Sequence, residues 1–245
     1  YQYLIAMKDR EQDMIEVASG EIEKLYQKQP DNWKIFWFFM NVKREYMEEP
    51  RKRFEALQEL LRNGVRSRII YYEASVLYRE HPVFLAEVSE EALPVMTWMV
   101  RENCMSEEVK QQYLLMVSKR KHFYPILFHS LEKLYEEQED AHILQVILSI
   151  LIRTQKAGRK YFKWYELGIQ KQVRILQLYE YYMYSMEEDI HTVLPESVVT
   201  YFSVDCTLNE KKRAFLYANI VENWEKYDKV VLEGYEEAIH QFAKK

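Results

Sequence analysis

The sequence predicts an all-α protein: a right-handed α-α superhelix, or solenoid, of paired antiparallel helices. Three observations point there. Glycine and proline are scarce, 5 and 6 in 245 residues, so glycine stands at about 2% against an average of about 7%. Strand-rich folds and glycine-rich phosphate loops both need more turn residues than that. Apolar residues recur at spacings of three and four over most of the chain, and 48% of the chain is hydrophobic. The caps and breaks mark about 13 helices of about 19 residues per element, a spacing that suits helix pairs.

Each element has its own signals. A first helix reaches about Gln29, with Ile15, Ile22, Leu25 and Tyr26 on one face, and Pro30 ends it. A second opens at Asp31-Asn32 and carries Trp33, Phe36, Trp37 and Met40 as a core stripe. Pro50 stands at the start of a third, with Phe54, Leu57, Leu60 and Leu61 inward and Gly64 as a left-handed stop. Ser67 caps a fourth, which runs from Arg68 to about Glu80 before Pro82. The next start is signalled by Ser89 with two glutamates and again by Pro94.

Ser106-Glu107-Glu108 opens another helix, Pro125 the one after it, and Asp140 a long apolar helix closing near Gly158. Further helices cover Tyr161–Gly168, Val173–Ser185, Glu196–Val204, Glu210–Asn223 and Glu225 to the end. Val198–Val204 is β-branched and aromatic enough for a strand by propensity. A lone strand would leave its backbone groups unpaired, so helix is the expectation. The helix over Val173–Ser185 is apolar nearly all round and should be sandwiched between neighbours.

Two segments resemble each other. Leu60-Leu61-Arg62-Asn63-Gly64-Val65 with Arg68-Ile69-Ile70 leads into Tyr71, Tyr72, Glu73 and Tyr78. Tyr165-Glu166-Leu167-Gly168-Ile169 with Arg174-Ile175-Leu176 leads into Tyr179, Glu180, Tyr181, Tyr182 and Tyr184. That supports repetition across a single helical-repeat domain over 1–245, with a soft boundary near 158–160. The chain begins at Tyr1 without a methionine and stops at Lys244-Lys245 inside a helical pattern, so it is expected to be a piece of a longer protein.

The totals exclude several classes. The charge is -5, from 34 basic and 39 acidic residues, which gives no broad cationic field for nucleic acid. Lys119, Arg120 and Lys121 form a local cluster read as a solvated helix end. Cys104 and Cys206 sit in no metal-ligand or CxxC spacing and read as reduced, inert thiols of a cytoplasmic protein. No leader is visible, and the richest apolar run, Ile143–Ile152, is too short to span a bilayer. Neither nucleic acid nor membrane is expected as a partner.

Glu-x-x-His occurs at Glu139/His142, Glu188/His191 and Glu237/His240, the pattern that helical di-metal sites use twice. Asp140 reads as a cap between Glu139 and His142, and His191 falls just before Pro195, so these pairs do not share a helix interior. The acidic runs Glu136, Glu137, Glu139, Asp140 and Glu187, Glu188, Asp189 lie at helix boundaries, where solvent accounts for them. No G-x-S-x-G or glycine loop is present. The expectation is no catalytic, cofactor or metal residues.

Trp164-Tyr165-Glu166-Leu167-Gly168 resembles the W-x2-L-G opening of a tetratricopeptide repeat. Lys171 stands where that pattern has Tyr, Glu180 where it has a small residue, and no 34-residue period follows. A broader resemblance rests on Lys160-Tyr161-Phe162-Lys163-Trp164-Tyr165, Val173-Arg174-Ile175, Leu178–Ser185, Leu194-Pro195, Tyr201-Phe202 and Ala214–Ile220. Asn32-Trp33 with Phe36-Trp37, and Gly64–Ser67 before Tyr72-Glu73-Ala74, extend it to the earlier part of the chain. Through these residues the chain resembles a family of large uncharacterised bacterial proteins, a domain of unknown function with helical-repeat, tetratricopeptide-like character. The resemblance implies a parent much longer than this chain and no assigned activity or cofactor.

The 20 tyrosines remain. Most should pack helix on helix, with Tyr179 and Tyr182 sharing a core stripe with Ile175 and Met186. Tyr181 and Tyr184 form a second stripe and, with Arg174, Arg68 and Tyr71, are the candidate lining of a concave groove. The function expected is a noncatalytic scaffold or interaction segment binding a protein or peptide partner. The alternative is an all-α hydrolase or metal-dependent enzyme using the Glu-x-x-His pairs.

Overall fold

In a computed structural model, the structure describes residues 12–29, 31–43, 48–204 and 207–242. Pro30 and Cys206 lie outside the described residues, as does the side chain of Ile15. Every regular element among the described residues is helical, including Glu196–Val204, where strand propensity was high.

Two compact units divide the chain, 1–117 and 118–245. In the first, α1 (Gln12–Lys28) packs on α2 (Trp33–Val42), and α3 (Pro50–Arg62) on α4 (Arg68–Glu80). A 3-10 turn over Pro82–Glu87 and another over Glu90–Ala92 lead to α5 (Leu93–Arg101), which packs on α4, and then to α6 (Glu107–Ser118), whose last residue, Ser118, is the first of the second unit. Both start signals at this point are used: Ser89 precedes the second 3-10 turn, and Pro94 sits in the first turn of α5. The core is apolar and aromatic, with Leu61, Ile70, Tyr78, Met96 and Met99 all buried. Leu25 is 48% exposed, so the inward face of α1 is narrower than its spacing predicts.

In the second unit, α7 (Pro125–Gln138), α8 (Ala141–Arg153), α9 (Arg159–Gln170) and α10 (Leu178–Ser185) pack each on the next, and α8 also meets α10. Then come α11 (Glu196–Val204), α12 (Glu210–Glu222), a 3-10 turn over Trp224–Lys226, α13 (Lys229–Glu233) and α14 (Glu236–Phe242). The last helix expected from Glu225 onward is therefore broken. Tyr227 is extended, and Asp228 caps a new start by accepting from Val230 N at 3.2 Å. The soft point expected near 158–160 falls inside this unit.

Starts follow the sequence closely. Asn32, Asp140 and Asn209 each accept a backbone N–H of the first turn, at 3.2, 2.7 and 2.9 Å. Pro50, Pro94 and Pro125 occupy first-turn positions, where no N–H is required. Ser67 holds the cap position of α4 without a side-chain cap bond.

Stops differ from expectation. The apolar helix α8 ends at Arg153, because Gln155 turns left-handed at φ 54 and Lys156 N returns to Leu151 O at 2.8 Å. Gly158, at φ 113, opens α9 instead. Likewise Val173–Gln177 is not helical: Gln172 at φ 55 closes α9, and Gln177 at φ 65 precedes α10. The helix expected over Val173–Ser185 is thus only Leu178–Ser185, though it is sandwiched by α8 and α9 as its composition requires.

Candidate functional site

The five groove residues fall in both units, so each place stands by itself. In the first unit, Arg68 and Tyr71 are one turn apart on α4 and face α5. Arg68 forms an ion pair with Glu102 at 3.2 Å, and the Tyr71 ring lies 6.4 Å from Trp98. Tyr71 is half-buried, and burial raises the pKa of its phenol, partly countered by the Arg66 guanidinium. On the same helix Tyr78 is fully buried and its hydroxyl accepts from Gln58 Nε2 at 2.7 Å. Ile69 and Tyr72, 46% and 56% exposed, leave an apolar strip of α4 in solvent.

In the second unit, α10 presents the other three. Tyr182 is core, as its stripe predicts, and burial pushes its phenol up to about 12. Tyr179 is only half-buried and stacks on Tyr201 at 4.6 Å, while Ile175, expected on its stripe, lies outside the helix. Tyr181 and Tyr184 are half-buried too. The Tyr181 ring packs on Tyr165 at 5.8 Å, and the Tyr184 hydroxyl accepts from Asn209 N at 3.2 Å. Burial, then the negative charge of Glu180, raises the Tyr181 pKa. Arg174 is exposed in the turn before α10, not on the helix with the tyrosines.

The Glu-x-x-His pairs are dispersed. Glu139 is the left-handed end of α7 while His142 lies in the first turn of α8. Glu188 pairs with Lys211 and Lys212, both at 3.1 Å, and these two ammonium groups hold its carboxyl below the ordinary range. His191 meets Glu222 at 3.2 Å instead. Among the described residues no three His, Cys, Asp or Glu side chains gather as a metal site would need. No helix among them is long and apolar enough to cross a membrane.

One polar constellation was not visible in the sequence. Asn219 on α12 and Asn223 at its C-cap, both buried, donate from Nδ2 to the carbonyls of the loop between α10 and α11. Asn219 reaches Ile190 O at 3.0 Å and Thr192 O at 2.7 Å, and Asn223 reaches Ile190 O at 2.7 Å. The Tyr227 hydroxyl accepts from Leu194 N at 2.9 Å and donates to Asn219 Oδ1 at 3.1 Å. Every bond is spent inside the fold, which makes this a clamp on the loop. The spacing of four between the asparagines is its sole sequence signal.

These features define a class: an all-helical chain whose sequential helices pack on one another and hold tyrosines half in and half out. The chain belongs to the family described as "Family of unknown function (DUF5717) N-terminal", which matches residues 1–245. The resemblance carried by the Trp164, Leu178–Ser185 and Ala214–Ile220 stretches therefore holds as membership of a family of unknown function. No curated protein and no solved structure shows a significant match.

Proposed function

We propose that the chain is a noncatalytic scaffold segment of a cytoplasmic protein, with tetratricopeptide-like helix pairs stacking within each unit as superhelical repeats. Its partner is a protein or peptide, bound on a Tyr/Arg-rich face. The observation that carries this reading is the state of Tyr181 and Tyr184. Each is fixed from behind, by Tyr165 and by Asn209 N, and each keeps part of its ring in solvent. An aromatic held in one position loses little entropy on binding and still offers area and a hydroxyl, which is the chemistry of interface hot spots.

The test is cross-linking with mass spectrometry on the full-length parent in its native cells. Protein partners cross-linked through α10 should be lost with Tyr181→Ala and Tyr184→Ala combined, by about tenfold or more in recovered yield. Tyr181→Phe with Tyr184→Phe, which keeps both rings, should retain most of them. An unchanged partner set in the alanine variant removes this face from the interaction.

A further inference from the structure

We propose that the second unit also carries a preformed cationic surface, around the turn before α7, that binds an acidic protein segment in which carboxylates alternate with apolar side chains. In sequence, Lys119, Arg120 and Lys121 look like a solvated helix end. The fold adds to them Arg153 from the end of α8, Lys156 from the turn that follows it and Lys160 from the start of α9. Physical contacts join the three stretches. Arg153 Nη1 donates to Ser118 O at 2.6 Å, and the Lys156 ammonium lies 5.1 Å from the centre of the Phe123 ring. Phe123 meets Tyr161 edge-on at 6.0 Å, and the Lys160 ammonium lies 5.5 Å from the Tyr161 ring. Arg120 lies 5.6 Å from the ring of Tyr124.

This is a concentration of positive charge on a chain whose net charge is -5. Several other cations of the second unit are matched, Arg159 with Glu187 at 2.6 Å and Lys211 and Lys212 with Glu188, while Lys171, Arg174, Lys226 and Lys229 carry no ion pair among the described residues but come from separate stretches of chain. Lys119, Lys121, Lys156 and Lys160 form no ion pair with any described residue. Beside them stand two exposed apolar groups, Tyr124 at 42% and Ile126 at 69%.

The class of ligand follows from the combination. Unmatched ammonium groups attract anions over about a Debye length. Nucleic acid would use the charge but gain little from Ile126, which cannot stack on a base. An anionic bilayer attracts lysines wherever they point, so cations seated over Phe123 and Tyr161 give it no particular advantage. Discrete carboxylates gain from that seating, because ordering the cations has already been done by the fold. Apolar side chains between those carboxylates would cover Ile126 and Tyr124. This surface needs neither Tyr181 nor Tyr184.

Fluorescence anisotropy of the full chain with a labelled peptide of alternating Glu and Leu tests this, beside the same peptide with Gln for Glu. Phosphatidylserine vesicles and a single-stranded oligonucleotide serve as competitors. The Glu/Leu peptide should bind, lose affinity as salt rises, and weaken about tenfold or more with Lys121→Glu and Lys160→Glu, drawn from two different elements. Ile126→Ser should weaken it about threefold while leaving the salt dependence in place. Lys121→Gln with Lys160→Gln supplies a milder version should the reversed charges disturb helicity in circular dichroism. Equal affinity for the Gln/Leu peptide, or unchanged binding by folded lysine variants, overturns the proposal. So does displacement of the peptide by vesicles or oligonucleotide at lower concentration than by unlabelled peptide.

Discussion

Besides Glu139 at the end of α7, four helix ends among the described residues are closed by one residue in the left-handed region with a shared backbone pattern, and only one of those four is glycine. Gly64 closes α3 at φ 78, Asn103 follows α5 at φ 51, Gln155 follows α8 at φ 54 and Gln172 follows α9 at φ 55. Each is followed by the same backbone bond back across the turn. Val65 N returns to Leu60 O and Cys104 N to Met99 O at 3.0 Å, Lys156 N to Leu151 O at 2.8 Å and Val173 N to Gly168 O at 2.9 Å. A side chain in that region is crowded against the carbonyl, at a cost of about 1–2 kcal/mol, less for Asn than for Gln. Gln155→Gly and Gln172→Gly should therefore each raise stability by about 0.5–1 kcal/mol, the relief of strain exceeding the added freedom of the unfolded chain. Gly64→Ala should lower it by about 1 kcal/mol. Urea unfolding followed by circular dichroism reads both signs, and a drop for both glutamine variants would show that strain does not govern these ends.

At the scale of elements, the asymmetry between starts and stops explains what could be read in advance. Starts are local chemistry: a side-chain acceptor at Asn32, Asp140 or Asn209, or a proline without an N–H, marks the first turn within three residues. The stops at Gln155 and Gln172 carry no such mark, since glutamine in a helical run looks like more helix. For that reason α8 was expected to reach Gly158, and Val173–Gln177 was expected to belong to α10. The candidate face was legible to the same degree. Tyr182 is core by its spacing, whereas Arg174 left the helix with the turn that Gln177 begins. Contacts between distant elements were not legible at all, and the clamp on the 186–195 loop is one of them. Asn219→Ala removes the donors to Ile190 O and Thr192 O and the acceptor for Tyr227 Oη in a fully buried place. Ile190 O keeps the Asn223 amide, but leaving Thr192 O and the Tyr227 hydroxyl without their Asn219 partner should cost about 2–4 kcal/mol in urea unfolding. Amide exchange at Leu194, whose N–H is held by Tyr227, should speed up more than at Leu144 in α8. Equal acceleration at both would mean that the clamp acts on the unit as a whole and not on its loop.

Across the whole molecule the most distinctive substance is tyrosine, 20 residues, and its burial ties stability to alkaline pH. Burial raises the phenol pKa of Tyr78 in the first unit and of Tyr165 and Tyr182 in the second, Tyr182 to about 12. The ordinary value is 10.0. A group whose folded pKa lies above its unfolded one holds its proton longer in the folded state. Its contribution is complete below pH 10 and is lost as pH rises through 12. For Tyr182 alone that difference amounts to about 2–3 kcal/mol. The urea midpoint should accordingly be flat with pH, as far as tyrosine governs it, up to about pH 10 and then fall steeply. Phenolate absorbance should appear later in the folded chain than in chain unfolded by urea. Tyr182→Phe keeps the ring in its packing against Phe162 at 5.1 Å but has no proton to lose. It should match the parent within about 1 kcal/mol at neutral pH and hold more of its stability above pH 10. Coincident phenolate titrations of the folded and unfolded chain would show that these rings are open to water, and the dependence of stability on tyrosine burial would fall with them.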